Sequence, residues 1–141
     1  MSDKATIEVR PAPRDDVVAI DQFIQPFIQH GWLLPRTHDE LRELTENGFV
    51  AIADGRIVGF VALEIYSIKL AEIRSLAVDP TYQGHGVGRA LVEACLNRAR
   101  ERRIFEVMAI TSEDEFFQRC GFNFTLPNEK KALFLQTRDK Y

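Results

Sequence analysis

A glycine-rich segment of the chain has the composition and spacing to hold a phosphate group. Its residues, Gln83 to Ala90, separate an apolar, β-prone run from a strong helical pattern. Three glycines in five residues keep Cβ atoms away from the main chain, so several N–H groups can converge on one anion. The helix adds its first-turn donors and the positive end of its dipole, worth about 0.3–1 kcal/mol for a nearby negative charge. The segment therefore predicts a phosphate-binding loop, against the simpler alternative of a turn that only reverses the chain.

Two classes of phosphate loop fit this segment poorly. A nucleotide-triphosphatase loop ends in Gly-Lys followed by Ser or Thr, whereas this chain has Gly88-Arg89-Ala90, which excludes that class. A dinucleotide loop places Gly-x-Gly-x-x-Gly directly after a strand, whereas these glycines stand at 84, 86 and 88 behind an Asp79-Pro80 turn. Glu113 is the one feature that favours dinucleotide binding, since it lies near the spacing of a ribose-binding acid.

A third pattern fits completely: Gln or Arg, two residues, Gly, one residue, then Gly or Ala. Gln83, Gly86 and Gly88 fill it, and residues 72–80 precede it as a strand and exit turn. Together these residues resemble the acyl-CoA pyrophosphate loop and central strand of the GNAT superfamily of N-acetyltransferases. The resemblance implies a single N-acetyltransferase domain over residues 1–141, with acetyl-CoA as co-substrate. The implied fold is α/β, a mixed and mostly antiparallel sheet flanked by helices.

The resemblance also implies catalytic roles on the central strand. Glu72 occupies the position of a catalytic glutamate in related histone acetyltransferases, where a carboxylate acting through water removes the proton of the amine. The N–H of Leu76 is implied to point at the thioester oxygen, and such a donor contributes about 2.7–4 kcal/mol in other acyl transfers. The simpler alternative for Glu72 is a strand carboxylate paired with Arg74 or Lys69.

One residue of the superfamily pattern is missing. Many members protonate the leaving thiolate with a tyrosine four residues before a Gly-Phe pair, and Phe117 stands there, before Gly121-Phe122. Since Phe117 has no proton to donate, water or another group must do so. The residues that the resemblance places against acetyl-CoA are Leu76, Ala77, Val78, Gln83, Gly84, His85, Gly86, Val87, Gly88, Arg89 and Phe117.

A narrower resemblance concerns the amine substrate. Residues 31–36, 111–122 and 126–133 are similar to the acetyltransferase domain of bacterial N-acetylglutamate synthases, which acetylate the α-amine of glutamate in arginine biosynthesis. The similarity implies a small-molecule amino acid as substrate, with Arg36, Lys69 and Arg74 around it. Charge agrees, because a dicarboxylate needs two cationic anchors and arginine offers a two-pronged fit.

Other functions stay open. Residues 136–139, near the end of the sequence, are QTRD where those synthases have Arg-Arg-Ser, so another amino acid or small amine is an alternative to glutamate. A GNAT enzyme acting on a protein N-terminus, lysine or polyamine is a second alternative. Acidic residues near Arg36 and Lys69 would favour the polyamine. Because the tyrosine is missing, a non-catalytic module that binds acetyl-CoA is a third alternative.

Composition limits the class of protein. The 141 residues are 45% hydrophobic and 28% charged, as in a globular chain of one domain. A formal charge of −3 gives no basic footprint, so we expect no nucleic-acid partner. No apolar run approaches the roughly 20 residues of a membrane span and the N-terminus lacks the apolar core of a signal peptide, so we expect a cytoplasmic location. A homodimer is an expectation from the relatives alone.

Cysteines and histidines carry no metal or disulfide pattern. Cys95 and Cys120 form no Cys-x-x-Cys pair, and we expect both to be buried thiols. His30, His38 and His85 lack metal-ligand spacing with cysteines or carboxylates, so we expect no metal site.

Local signals predict the order β-α-α-β-β-β-α-β-α-β-β. Pro26 should kink or split the first helix, Thr37 and Ser112 should open capping boxes, and Asp54-Gly55 should turn a hairpin. The predicted strands are 7–10, 49–53, 57–66, 71–78, 104–111, 122–126 and 131–137; the predicted helices begin near 15, 38 and 113, with a long one at 88–102.

Overall fold

The computed structural model describes residues 6–124 and 131–138. Its strands are β1 (Glu8–Pro11), β2 (Gly48–Ala53), β3 (Arg56–Ser67), β4 (Leu70–Val78) and β5 (Val107–Met108). Its α-helices are α1 (Val17–Gln29), α2 (His38–Thr45), α3 (Val87–Glu101) and α4 (Asp114–Arg119). The order of these elements is β-α-α-β-β-β-α-β-α, which confirms the first nine predicted elements.

The five strands form one sheet in the order β1-β2-β3-β4-β5. Neighbouring strands are antiparallel except β4 and β5, which are parallel because α3 connects them. The β2–β3 turn has φ of 52° at Asp54 and 76° at Gly55, the left-handed conformations that a tight hairpin turn requires. Asp54-Gly55 therefore sets the register of the hairpin, as predicted.

Helices cover both faces of the sheet. Leu91 and Cys95 of α3 pack in one buried cluster with the side chains of β2, β3 and β4 on that face. Ile20 of α1 and Leu41 of α2 pack in a second cluster against the opposite face. The sheet is thus the middle of three layers. The glycine-rich segment lies between the end of β4 and the start of α3. None of the helices in the described ranges is both long and apolar enough to cross a membrane.

Pro26 does not split the first helix, which was one of the two predicted effects. Helix α1 runs unbroken from Val17 to Gln29, and His30 donates to the carbonyl of Pro26 at 3.0 Å. A proline removes one hydrogen bond and crowds the preceding turn. Here Ile24 and Phe27 are buried on either side of it, so packing holds the helix together.

The two predicted capping boxes have different outcomes. Thr37 accepts from the N–H of Glu40 at 3.1 Å, and the Glu40 carboxylate accepts from the N–H of Thr37 at 2.9 Å, which confirms the first. The second is wrong, because Ser112 does not cap α4. The helix begins at Asp114, and the Thr111 hydroxyl accepts from the N–H of Glu113 at 2.8 Å instead. This hydrogen bond spans two residues and forms a turn before the helix, and no side chain in the described ranges caps α4.

The C-terminal part of the prediction is also corrected. Strand β5 has two residues instead of the predicted eight, since Arg103 adopts φ of 56° and the N–H of Ile104 still bonds to helix α3. Residues 122–124 and 131–137 are not in strands, and 131–138 are exposed. Residues 125–130 and 139, within the two resembling segments, lie outside the described residues. Because β5 has only two residues, it offers few main-chain groups with which a further strand could pair.

Gly59 of β3 is the point of closest approach between the sheet and α3. A Cβ atom there would lie 2.9 Å from Cδ1 of buried Leu91 and 3.2 Å from Cβ of Ala51. We expect Gly59→Ala to lower the free energy of unfolding by about 1–3 kcal/mol, as overpacking does. Urea denaturation followed by circular dichroism would measure it.

The matched test is the double variant with Leu91→Val, which removes Cδ1. If the contact is the cause, Gly59→Ala should be less destabilising in the Leu91→Val background by about 1 kcal/mol. Additive losses would mean that the strand itself, and not the approach of α3, requires glycine at position 59.

Candidate active site

Strand β4 carries an irregularity where the thioester donor is predicted. Phe60 pairs with Ala77 and Ala62 with Arg74, so a single β3 residue, Val61, faces both Ser75 and Leu76. Ser75 has φ of 57°, which is uncommon for a residue with a Cβ atom. This is a β-bulge, and a bulge leaves main-chain groups unpaired and re-aims them.

The other edge of β4 is open at the same level. Strand β5 pairs with β4 only at Ala71 and Glu72, so residues 73–78 have no strand partner on that side within the described ranges. Leu76 and Val78 therefore have no strand partner on this side of β4 in the described ranges, and the carbonyl of Val78 accepts from Gln83 instead. Extended ligands bind such an edge by hydrogen bonds like those of an added strand. This is where the sequence places the pantetheine arm.

The glycine-rich loop has room for an anion. Gly84 and Gly86 have φ of 83° and 80°, and a Cβ atom on either would meet no other atom within 4 Å. Gly86 is the N-cap of the 15-residue helix α3, whose first-turn N–H groups have no partner inside the helix. Positive φ, open space and a helix N-terminus together fit a diphosphate group.

Two side-chain contacts fix the entrance to this loop. Gln83 donates through Nε2 to the carbonyl of Val78 at 3.1 Å, which ties the loop to the end of β4. Asp79 accepts from both the N–H and the hydroxyl of Thr81, at 2.9 and 2.7 Å. The hydrogen bond from the Thr81 hydroxyl is the main reason that the pKa of Asp79 is lowered. His85 and Arg89 of the loop are exposed, and Val87 is buried.

Phe117 is buried beneath the start of α3. A Cβ atom at Gly88 would lie 3.3 Å from the ring of Phe116, whose ring centroid is 5.0 Å from that of Phe117. Phe117 is 7% exposed and also packs edge-on against Phe122, with centroids 5.3 Å apart. Its contact with acetyl-CoA stays a prediction.

The two cysteines differ in burial. Cys95 is buried, as predicted, whereas Cys120, directly after α4, is half-buried, which is less than predicted.

Glu72 lies in a network of four polar side chains. Tyr66 donates its hydroxyl to Oε1 of Glu72 at 2.6 Å, and Arg74 Nη1 lies 3.4 Å from the same oxygen. Arg74 Nη1 also lies 3.3 Å from Oε2 of Glu64 and 3.3 Å from the Tyr66 hydroxyl. The pairing of Glu72 with Arg74, the simpler alternative from the sequence, is therefore present. Such a pairing does not exclude a catalytic role.

The network shifts the pKa of two of its members. Burial is the main cause that raises the pKa of Tyr66 to about 12, followed by its hydrogen bond to Glu72. Burial disfavours the charge of Arg74, but the carboxylates of Glu72 and Glu64 outweigh it, so the pKa of Arg74 is raised. At neutral pH Tyr66 is therefore a hydrogen-bond donor and Arg74 a cation.

Arg36 lies in the loop before α2, with its side chain only 12% exposed. Its Nε is buried and has no hydrogen-bond partner among the described residues, and the nearest carboxylate oxygen, Oε2 of Glu40, is 3.9 Å from Nη1. A buried N–H without a hydrogen-bond partner is rare in folded proteins. This N–H is therefore a candidate donor to an acceptor atom of a ligand. Arg36 lines a pocket of about 250 Å³ with Glu40, Glu43, Leu44, Glu46, Asn47, Leu63, Glu64 and Ile65.

The three predicted substrate cations are not brought together. Lys69 is exposed in the β3–β4 turn, with its N–H bonded to the Ser67 hydroxyl at 3.0 Å, and it does not line the Arg36 pocket. Arg74 is engaged by Glu64 and Glu72. Of the three, only Arg36 lines this pocket, and the four glutamates around it were not predicted from the sequence.

Histidines and cysteines form no metal centre in residues 6–124 and 131–138. His30 stacks on Trp32 at 4.6 Å between ring centroids, and His38 lies 3.1 Å from a carboxylate oxygen of Asp21. No group of three His, Cys, Asp or Glu side chains is arranged there to hold an ion.

Residues 15–122 match the sequence model of the Acetyltransferase (GNAT) family, and the chain belongs to this family. An amino-acid acetyltransferase of Mycobacterium tuberculosis is 38% identical over 117 residues, which cover 81% of this chain and 67% of the relative. A Mycobacterium tuberculosis protein solved in complex with CoA and NLQ is 35% identical with a TM-score of 0.75, covering 89% of this chain and 76% of that one.

A longer protein is similar as well. N-acetylglutamate synthase of Neisseria gonorrhoeae, solved with coenzyme A and N-acetyl-glutamate, is 28% identical with a TM-score of 0.73. The match covers 84% of this chain and 28% of the synthase, so the chain spans little more than a quarter of its length. These findings confirm the predicted fold, the predicted class of enzyme, an acyltransferase, and acetyl-CoA as the co-substrate of the family.

The loop makes a test of CoA binding possible with a closely matched control. Gly86 in the loop and Gly55 in the β2–β3 turn have φ of 80° and 76°, and a Cβ atom on either enters open space. Alanine at either position should destabilise the fold similarly, by about 1–2 kcal/mol, because both must keep a left-handed conformation. We expect only Gly86→Ala to weaken acetyl-CoA binding, by at least tenfold.

Isothermal titration calorimetry with acetyl-CoA would measure both variants against the unmodified protein. Equal affinities for Gly86→Ala and Gly55→Ala would show that the loop does not hold the diphosphate.

Proposed function

We propose that the chain transfers an acetyl group from acetyl-CoA to the α-amine of a free amino acid, with glutamate as the first candidate. The observation that carries the substrate class is Arg36, which lines a pocket and whose buried Nε has no hydrogen-bond partner among the described residues. A carboxylate would satisfy that donor. The names of the relatives support the same class, since one is an amino-acid acetyltransferase and another is an N-acetylglutamate synthase.

The acyl-donor side of the mechanism uses main-chain groups. Acetyl-CoA supplies an acetyl group activated as a thioester. The loop from Gln83 to Arg89 binds its diphosphate, and the open edge of β4 at Leu76 to Val78 binds its extended arm. The N–H of Leu76, re-aimed by the bulge at Ser75, stabilises negative charge on the thioester oxygen. Since a main-chain group does this, replacing the Leu76 side chain should matter less than straightening the strand.

The acceptor side uses Glu72 and Arg36. Arg36 holds the carboxylate of the amino acid, and Glu72 takes one proton from its ammonium group through water. The N–C bond then forms as the C–S bond breaks, the second proton of the nitrogen passes through water to the thiolate, and Glu72 releases its proton to solvent. Water can serve as the proton donor because a thiol has a pKa near about 8.5 and its thiolate is a good leaving group.

A second acceptor class is supported by the charges around Arg36. Glu40, Glu43, Glu46 and Glu64 line the same pocket, and acidic residues there favour an acceptor with a second amine. Three of these glutamates lie within 4 Å of an arginine, which offsets much of their charge. A polyamine or an amino acid with a basic side chain is therefore the alternative, and glutamate is the primary proposal.

The acceptor can be identified by thiol release. We expect acetyl-CoA with free glutamate to release thiol, while a screen of the twenty amino acids and spermidine ranks the acceptors and mass spectrometry identifies the products. Release with spermidine alone would establish the second class. No release with any amine, together with tight acetyl-CoA binding, would show a non-catalytic binding module and overturn the proposal.

Arg36→Ala tests the carboxylate anchor. We expect KM for the amino acid to rise by roughly 10- to 100-fold, the loss expected for a hydrogen bond to a charged group. The amide of the same amino acid, which lacks the α-carboxylate, should be affected much less. Arg42→Ala is the control, because Arg42 is an exposed arginine of α2 that pairs with Asp39. Equal losses with the acid and the amide would point to a folding role for Arg36.

Glu72→Gln tests the proposed base. We expect kcat/KM to fall by about 10²- to 10⁴-fold, the usual contribution of a general base, while acetyl-CoA affinity is kept. The fall should be largest at low pH, where the acceptor amine is mostly protonated and most needs a base. Steady-state rates from pH 6 to 9 would measure it. A pH-independent ratio of the two rates would remove Glu72 from this role.

A further inference from the structure

We propose that Tyr66 and Arg74 are positioning residues for Glu72, which bind one of its carboxylate oxygens and so leave the other as the base. This inference rests on the proposed function, in which Glu72 takes the proton of the acceptor amine. Nothing in the sequence pattern singles out Tyr66, and the family pattern assigns it no role here.

The two contacts meet on the same atom. Oε1 of Glu72 accepts from the Tyr66 hydroxyl at 2.6 Å and from Arg74 Nη1 at 3.4 Å. The recorded partners of Glu72 in the described ranges all bind this oxygen. A carboxylate has two oxygens, each able to accept. Oε2 is therefore the oxygen left for a proton, while Oε1 fixes the plane of the carboxylate.

Arg74 also separates two like charges. Glu64 and Glu72 are directly opposite each other in the β3–β4 register, which puts their side chains on one face of the sheet. Two carboxylates at directly opposite positions, with no cation between them, would each disfavour the ionisation of the other. Arg74 Nη1 lies 3.3 Å from Glu64 and 3.4 Å from Glu72, so one guanidinium compensates both. Of the two carboxylates that share this cation, Glu72 is the more buried, with 8% of its side chain exposed against 30% for Glu64.

Tyr66 contributes a donor that does not titrate in the working range. Burial and the adjacent carboxylate raise the pKa of Tyr66 to about 12, so its hydroxyl keeps its proton. A donor to an ionised carboxylate favours the ionised form. The groups that face Glu72 are Glu64 and Tyr66 from β3 and Arg74 from its own strand, while its partner on β5 is uncharged Met108.

The direction of the pH effect follows from these contacts. Without the phenol, the carboxyl group loses a hydrogen bond that is stronger to its ionised form than to its protonated form, so ionisation requires a higher pH. Because the base must be ionised to act, activity is lost from the acid side first. We expect Tyr66→Phe to move the acid limb of the kcat/KM profile upward by about one pH unit, with unchanged acetyl-CoA affinity. At the low end of the profile this is about a tenfold loss.

Tyr82→Phe is the matched control for this variant. It removes the same hydroxyl from a ring that packs under Arg56 and makes no contact with Glu72. The same acceptor amine is used for all enzymes, so the ionisation of the amine contributes equally and drops out of the comparison. We expect the Tyr82→Phe profile to superimpose on that of the unmodified enzyme.

A second pair of variants tests Arg74 by rescue. Arg74→Met leaves Glu64 and Glu72 facing each other without a cation, so the acid limb should move further upward than in Tyr66→Phe. Adding Glu64→Gln removes the opposing charge and should bring the limb at least halfway back. A role of Arg74 in folding alone would not produce this rescue. Thermal unfolding of each variant shows whether it is folded, and if Arg74→Met is not, the Tyr66→Phe result decides.

The titration of Glu72 can be followed without turnover. Carbon-13 NMR of the side-chain carboxyl, assigned with Glu72→Gln, should show the midpoint about one pH unit higher in Tyr66→Phe. An upward midpoint in a protein that acetylates no amine would mean that the proposed function is wrong and the contact is real. Turnover with superimposed profiles and midpoints for Tyr66→Phe and the unmodified enzyme would overturn the inference.

Discussion

The bulge at Ser75 is the constraint on which the rest of the candidate site depends. In a regular β4, alternate residues would direct their main-chain groups toward β3 in strict order, and the bulge changes that order at Ser75 and Leu76. Because the chain adopts a left-handed conformation at Ser75, the register shifts and Leu76 leaves the ladder. The hairpin register on one side and the packing of α3 on the other hold this conformation in place. Gly59, which lies against Leu91, is part of that support.

The chemistry is divided between main chain and side chains. In the proposed function, main-chain groups at the open edge of β4 and at the N-terminus of α3 bind the acyl donor, and their positions are set by the fold alone. Side chains on the opposite end of β3 and β4 provide Glu72, Tyr66 and Arg74. This division lets the acceptor site vary while the donor site stays the same, because a side chain can change without altering the bulge or the loop.

Features encoded within a few residues could be predicted from the sequence. Asp54-Gly55, the Thr37–Glu40 capping box and the glycine-rich loop each carry their own conformational signal, and the structure has the predicted element at each place. Features that depend on neighbours could not be predicted. The contacts among Glu64, Tyr66 and Arg74 require the β3–β4 register, which two bulges alter. Likewise, the length of β5 depends on where α3 ends, and the glutamates around Arg36 come from separate elements.

The absence of a phenol at position 117 follows from its surroundings. The Phe117 ring is packed edge-on between Phe116 and Phe122 and is 7% exposed. A tyrosine there would bury a hydroxyl that needs a hydrogen-bond partner, and an unsatisfied buried hydroxyl is destabilising by about 1–3 kcal/mol. An aromatic cluster of three phenylalanines avoids that loss and anchors α4 against the loop of α3. In the proposed mechanism the leaving thiolate takes its proton from water, so packing of the aromatic cluster does not compete with a need for a second acid at position 117.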